Sequence, residues 1–241
     1  MIRPDGRVNV FIACFPKSGS THLSEVLCRI TGFPHIGAVQ FYGQSEQDLY
    51  EPALRVLETT SSVTQQHVKG TATNVMLMQR YGIRPIVLVR DVLDALVSLH
   101  DHFERESTET PVGFVHREYR SMSFEERLSF LVHLHLPWYL HFLMSWREAA
   151  ERLEVLWTSY EEIFADQAAG VRRVLDFYGL KVEEEEIRRG IEAAGRGRRF
   201  NVGVSGRGRE MLTAECQEAA RRIAAAWGAG AELMEKVGLR P

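Results

Sequence analysis

The sequence has few cysteines, no long apolar run and no strong excess of charge of either sign. Its three cysteines, Cys14, Cys28 and Cys216, are odd in number and follow no ligand spacing. That argues against a disulfide framework or a four-ligand zinc site, and for a reducing compartment. The longest apolar stretches, such as Val8 to Phe15 and Pro85 to Val89, fall well short of the roughly 20 residues needed to cross a bilayer. The amino terminus lacks a basic region followed by an apolar one, so neither a membrane span nor export is expected, and a cytoplasmic location is. A formal net charge of −3 offers no global attraction to nucleic acid, so any basic site must be local. What remains is an ordinary globular composition, 45% hydrophobic and 25% charged over 241 residues. Such a chain buries roughly three-quarters of its unfolded surface and needs no staple. No internal repeat or low-complexity linker divides it, and a single domain over residues 1–241 is expected.

Short apolar runs alternate with helical stretches, the pattern of a parallel sheet covered by helices on both faces, an α/β three-layer sandwich. Val8 to Phe15 reads as a first strand, Thr21 to Ile30 as the helix after it, closed by Gly32. Ser62 to Val68 is a second strand, Thr73 to Arg80 a helix stopped by Gly82, and Pro85 to Val89 a strand buried on both faces. A helix begins near Asp91. Residues Arg105 to Met122, with Pro111 and Gly113, are too long for a simple connection and are expected to be a mobile lid or binding loop. Ser123 with Glu126 has the spacing of a capping box, opening a helical region interrupted at Pro137 and running to about Arg152. Glu154 to Thr158 is a fourth strand, followed by helices at Ala168 to Tyr178, Glu184 to Ala194 and Ala214 to Trp227.

Two strand-to-helix junctions carry the chemistry. Phe15-Pro16-Lys17-Ser18-Gly19-Ser20-Thr21 lies between the first strand and its helix. A short glycine-containing turn at a helix amino terminus aims free N–H groups at one spot, where the helix dipole favours negative charge, and a lysine and hydroxyls complete an anion cradle. It is not the nucleotide-triphosphatase pattern, which brackets a longer loop with glycines ahead of its lysine. The alternative is a tight turn capped by Ser20 or Thr21. Arg90 opens the second junction and Ser98 follows two helical turns on, a fork-shaped cation and a neutral donor suited to a second phosphate. The alternative there is a surface Arg90–Asp94 ion pair. In an open parallel sheet, ligands bind outside the carboxyl ends of the strands, so both junctions can face one crevice.

These segments together resemble the cytosolic-type sulfotransferase family, whose donor is 3′-phosphoadenosine 5′-phosphosulfate. Pro16-Lys17-Ser18-Gly19-Ser20-Thr21 looks like the family's 5′-phosphosulfate loop, and Arg90 to Ser98 like its 3′-phosphate motif. Val155 to Ile163 is similar to the later strand carrying a tyrosine, here Tyr160, that meets the adenine. Gly203-Val204-Ser205-Gly206 and Leu212-Thr213 look like the carboxyl-terminal loop that closes over the 3′-phosphate. The resemblance covers residues 8 to about 227 and implies a P-loop NTPase-like fold, a small-molecule acceptor and no metal. It also places His67, at the end of the second strand, as general base, a task that suits an imidazole near neutral pH. Lys17 would stabilise charge on the departing phosphate, and Ser98 would hold Lys17 from the sulfate until acceptor arrives.

Several positions depart from the family pattern. His22 stands where many relatives have a tryptophan, leaving adenine stacking to Tyr160 and an unidentified partner and making His22 a rival base. Gln65 replaces a lysine, a lost charge for which Lys69 is the nearest substitute. Asn201-Val202 replaces an Arg-Lys pair, with Arg196, Arg198, Arg199, Arg207 and Arg209 nearby as candidates for nucleotide contact. His133 with His135, and His100 with His102, are two apart in helices, hence on different faces, and make no metal pair. Trp138, Tyr139, Phe142 and Trp146 recur at helical spacing and are read as core. Phe41, Tyr42, Phe103 and Phe114 favour an apolar or aromatic alcohol as acceptor, with a sugar or peptide natural product as the alternative. A small-molecule kinase and a non-catalytic nucleotide-binding module are the competing readings. Oligomeric state has no signature in the sequence.

Overall fold

The computed structural model describes residues 6–41, 46–108, 110–112, 115–195 and 205–239. Its four strands are β1 (Asn9–Cys14), β2 (Ser62–Gln66), β3 (Pro85–Val89) and β4 (Leu156–Ser159), all parallel in the order β2-β1-β3-β4. Parallel strands need crossovers, and the crossovers supply the helices that cover both faces. Alternation within β1 and β3 divides the core accordingly. Val10, Ile12, Cys14, Ile86 and Leu88 enter one cluster, which includes α1 (Ser20–Thr31), α8 (Gln167–Phe177) and α9 (Glu184–Ala194). Phe11, Ala13, Phe15, Val87 and Val89 enter the other. That cluster includes α3 (Ala72–Arg80), α4 (Val92–Arg105), α5 (Phe124–Leu134), α6 (Leu136–Ala149) and α11 (Ala214–Ala226).

The expected strands and long helices are present within a few residues of their boundaries. Gly32, Gly82 and Gly179 end their helices in the left-handed region, and Ser123–Glu126 forms both arms of a capping box. Among the described residues, four short helices escape sequence periodicity: α2 (Glu51–Leu57), α7 (Tyr160–Ala165), α10 (Arg207–Met211) and α12 (Ala231–Lys236). One of them corrects an expectation. Tyr160 is not on a strand but opens α7, because Ser159 and Glu162 form a second capping box that stops β4. The expected lid is also partly anchored: Arg117–Ser121 is a 3₁₀ turn, Tyr119 is buried, and Arg120 donates to the Phe103 carbonyl through Nε and Nη2.

Since β1 has β2 on one side and β3 on the other, the chain reverses its direction of travel across the sheet at β1. The crevice above its carboxyl end is where a ligand is expected. Residues 15–19, His67, Arg90 and Tyr160 follow the four strands directly.

Candidate active site

The loop after β1 has a conformation that only its glycine and a strained lysine provide. Lys17 has φ 68°, alone among described non-glycine residues in being left-handed, and Gly19 has φ 83°. A Cβ at position 19 would lie 2.7 Å from Tyr160 Cδ2, so glycine is required twice over. Ser18 is fully buried, and its Oγ has no hydrogen-bond partner of good geometry among the described residues. No side chain caps the start of α1. Uncapped helix amides and an orphaned hydroxyl are what an anion bound here would satisfy, so the loop fits a phosphate- or sulfate-like group. Pro16 belongs to the same unit, its carbonyl accepting from Tyr139 Oη at 3.3 Å. Ser20 is buried in the first turn of α1 and Thr21 is exposed.

The second junction touches the first. Arg90, 8% exposed, donates from Nη1 to the Lys17 carbonyl at 3.2 Å, and its guanidinium carbon lies 4.2 Å from the centre of the Tyr160 ring. Its Nη2 is 4.0 Å from Asp94 Oδ2, and that pair is buried, not at the surface. Ser98 is buried two turns along α4. Tyr160 stacks on Phe164, ring centres 4.2 Å apart, so one face meets Phe164 and the other Arg90. Adenine stacking on Tyr160, one of the sequence expectations, therefore has no free face to use; only its edge and hydroxyl remain.

His67, immediately after β2, is held at three points. Its Nδ1 is 2.9 Å from the Cys14 carbonyl and 3.5 Å from Cys14 Sγ, and its backbone N–H donates to Gln47 Oε1 at 2.7 Å. A carbonyl oxygen only accepts, so Nδ1 carries a proton, and in the neutral ring the lone pair is on Nε2. Burial pushes the Cys14 thiol up to about 11, so it stays neutral and is no rival base. Gln65 donates to Cys14 Sγ at 3.2 Å, beneath the site. Lys69 does not replace the missing charge: its Nζ pairs with Glu46 at 2.8 Å, and Glu46 also accepts from Trp138 Nε1.

His22 is tied by Nε2 to Gln167 Oε1 at 3.1 Å and lies 5.3 Å from Phe164. Phe103 is a core residue with no exposure, packed edge-on to Tyr119 and His135, and lines nothing. Trp138, Tyr139, Phe142 and Trp146 are buried as expected. In the carboxyl-terminal segment, Arg207 pairs with Asp101 at 2.9 Å and Arg209 donates to the Gly238 carbonyl. Gly203, the other arginines of that stretch, Tyr42 and Phe114 lie outside the described residues. Gln47 and Phe164 lie at the site although no sequence motif reveals them, and Asp94 lies within the Arg90 motif, where the sequence suggests only a surface ion-pair partner.

The sulfotransferase domain family matches residues 7–194. The chain belongs to that family. Among curated proteins, the flavonol 4′-sulfotransferase of Flaveria chlorifolia is 24% identical over 204 residues, covering 78% of this chain and 60% of that protein. The chain thus spans about 60% of the length of this curated relative. Among solved structures, mouse sulfotransferase SULT7A1 complexed with PAP superposes with a TM-score of 0.70 at 17% identity, over 96% of this chain and 87% of that one. A retinol dehydratase in complex with retinol and PAP gives 0.63 at 18% identity, over 92% and 81%. At identities this low, the superpositions show the shared P-loop NTPase-like fold alone. In this chain the Lys17 loop, Arg90 and His67 follow the carboxyl ends of neighbouring strands of one sheet.

Proposed function

We propose that this sulfotransferase-domain protein moves a sulfuryl group from 3′-phosphoadenosine 5′-phosphosulfate to a hydroxyl, or less readily an amine, of a small or medium-sized acceptor. The observation that carries the reading is the Arg90–Lys17 contact at 3.2 Å, which joins the two phosphate-binding junctions into one unit. Pro16, Lys17, Ser18, Gly19, Ser20 and Thr21 take the 5′-phosphosulfate. Arg90 and Ser98 take the 3′-phosphate, with Gly203 and Arg207 closing from the carboxyl-terminal side; Arg207 reaches it only by sharing or leaving Asp101. The PAP present in the SULT7A1 and retinol dehydratase complexes supports this donor.

In an in-line displacement the acceptor oxygen attacks sulfur as the bond to the departing phosphate oxygen breaks, and negative charge builds on that phosphate. Lys17 and the α1 amides oppose this charge from fixed positions, the most effective arrangement because nothing need reorganise. His67 takes the acceptor proton on Nε2, the nitrogen left unprotonated by the Cys14 carbonyl. Ser98 restrains Lys17 until acceptor binds. The retinol of one neighbour, the flavonol of the curated relative's name and the exposed Phe41 support an apolar or aromatic alcohol as acceptor.

Calorimetry tests the reading. Adenosine 3′,5′-bisphosphate is expected to bind without magnesium, and sulfur-labelled donor to transfer label to at least one member of a panel of hydroxylated compounds. Magnesium-dependent binding of ATP without binding of the bisphosphate would establish a small-molecule kinase instead. Tight bisphosphate binding with no transfer to any acceptor would leave a non-catalytic nucleotide-binding module.

A further inference from the structure

Asp94, Ser98 and Asp101 are four and then three positions apart on α4, hence on one face. Both outer members grip the carboxyl-terminal segment. The Asp94 side chain is 1% exposed; its Oδ2 accepts from the Gly206 amide at 2.8 Å and its Oδ1 from the Gly208 amide at 2.7 Å. Asp101 Oδ2 accepts from Arg207 Nη1 at 2.9 Å. The approach is close enough to require glycine, since a Cβ at position 208 would lie 2.4 Å from the Leu93 carbonyl carbon and 2.6 Å from the Asp94 nitrogen. A carboxylate this buried is costly unless its oxygens are hydrogen-bonded, and charge-assisted bonds to two amides are of the stronger kind. The nearest cation, Arg90, stands 4.0 Å away, at the limit of a contact.

We propose that Asp94 is a positioning residue for the 3′-phosphate grip: by holding the Gly206 and Gly208 amides it seats the segment from Ser205 to Gly208 against α4 beside Ser98. The grip is thereby formed before nucleotide arrives. The inference rests on the donor reading above and goes beyond it, because Asp94 itself repels a phosphate. Coulomb's law and positioning predict opposite signs for its removal: neutralising a carboxylate beside Arg90 strengthens attraction for an anion, whereas releasing the segment weakens binding.

Asp94→Asn decides between them, since the amide keeps one acceptor oxygen and turns a donor toward the other backbone N–H. Adenosine 3′,5′-bisphosphate is expected to bind at least tenfold more weakly to the variant, while adenosine 5′-phosphosulfate, which has no 3′-phosphate, changes less than twofold. Tighter binding of the bisphosphate, or equal weakening of both nucleotides, overturns the proposal. A wild-type protein that does not prefer the 3′-phosphorylated nucleotide removes the donor reading and this inference with it; a preference that survives in Asp94→Asn removes this inference alone. Hydrogen exchange on the wild-type protein without nucleotide gives a readout independent of the variant's folding. The Gly206 and Gly208 amides are expected to exchange slowly, and fast exchange at both overturns the proposal.

Discussion

The Cys14 carbonyl sets the tautomer of His67, the proposed general base, by accepting from Nδ1. With the proton fixed on Nδ1, only Nε2 can accept one. His67→Ala is therefore expected to lower turnover by about 10² to 10⁴, the range of a general base, with adenosine 3′,5′-bisphosphate affinity unchanged. A rate close to that of the wild-type protein would show that another base operates; His22, bound to Gln167, is the first to examine. Lys17 differs in kind, because the task proposed for it is charge stabilisation and its backbone is strained. Lys17→Ala is expected to lose far more in kcat than in donor Kd, since a fixed cation opposite developing charge contributes several kcal/mol to the transition state. Equal losses in kcat and affinity would make it a simple anion anchor. Gln47 illustrates a role that no spacing rule reveals: it lies 20 positions before His67 in sequence yet accepts the His67 amide at 2.7 Å.

At the scale of elements, α4 connects most of the site. Its N-cap, Asp91, accepts from the Leu93 and Asp94 amides. Burial, together with the nearby Asp94 and Glu161 carboxylates, pushes Asp91 up from 3.8 to about 6. A folded-state value above the unfolded one means that protonation favours the fold. The contribution is complete below about pH 4 and is lost as pH rises through about 6. Asparagine caps a helix as well as aspartate and does not ionise. Asp91→Asn is thus expected to gain in melting temperature relative to the wild-type protein as pH rises from 4 to 7, with no further gain above; thermal melts across that range check it, and a constant difference would refute it. The crossing of α6 with the segment after β2 is similarly tight. A Cβ at Gly70 would lie 2.7 Å from the Ser145 carbonyl oxygen and 2.8 Å from Ala149 Cβ, and the Gly70 amide donates to Ser145 Oγ. Gly70→Ala is expected to cost about 1–3 kcal/mol in urea unfolding, the usual penalty of overpacking.

For the molecule as a whole, ligand binding and folding are linked by mass action. At a hundred times its Kd, adenosine 3′,5′-bisphosphate adds about 2.7 kcal/mol, a rise in melting temperature of roughly 5–10 °C for a chain of this size. Arg90→Ala, which removes both the cation proposed for the 3′-phosphate and the bond to the Lys17 carbonyl, is expected to abolish that rise, and a rise of unchanged size would sink the assignment. The parallel architecture was legible in the sequence because burial on both faces demands continuous apolar strands. The Val8 to Phe15 and Pro85 to Val89 runs are of that kind, and helix ends at Gly32, Gly82 and Gly179 show equally local chemistry. The Lys17 loop and the Arg90 junction were legible for the same reason, since a strand-turn-helix is a contiguous stretch of chain. What the sequence could not reveal is who faces whom. That Lys69 is committed to Glu46, that Arg90 covers a face of Tyr160 and that Asp94 holds Gly206 and Gly208 are facts about residues from different elements, 23 to 114 positions apart. Hydrophobic patterning and turn chemistry act within a few residues and are written in order along the polypeptide. Ion pairs and ring contacts between elements, and carboxylate-to-amide bonds across 112 or 114 positions, exist only once packing has set the distances, so the tertiary structure alone decided them.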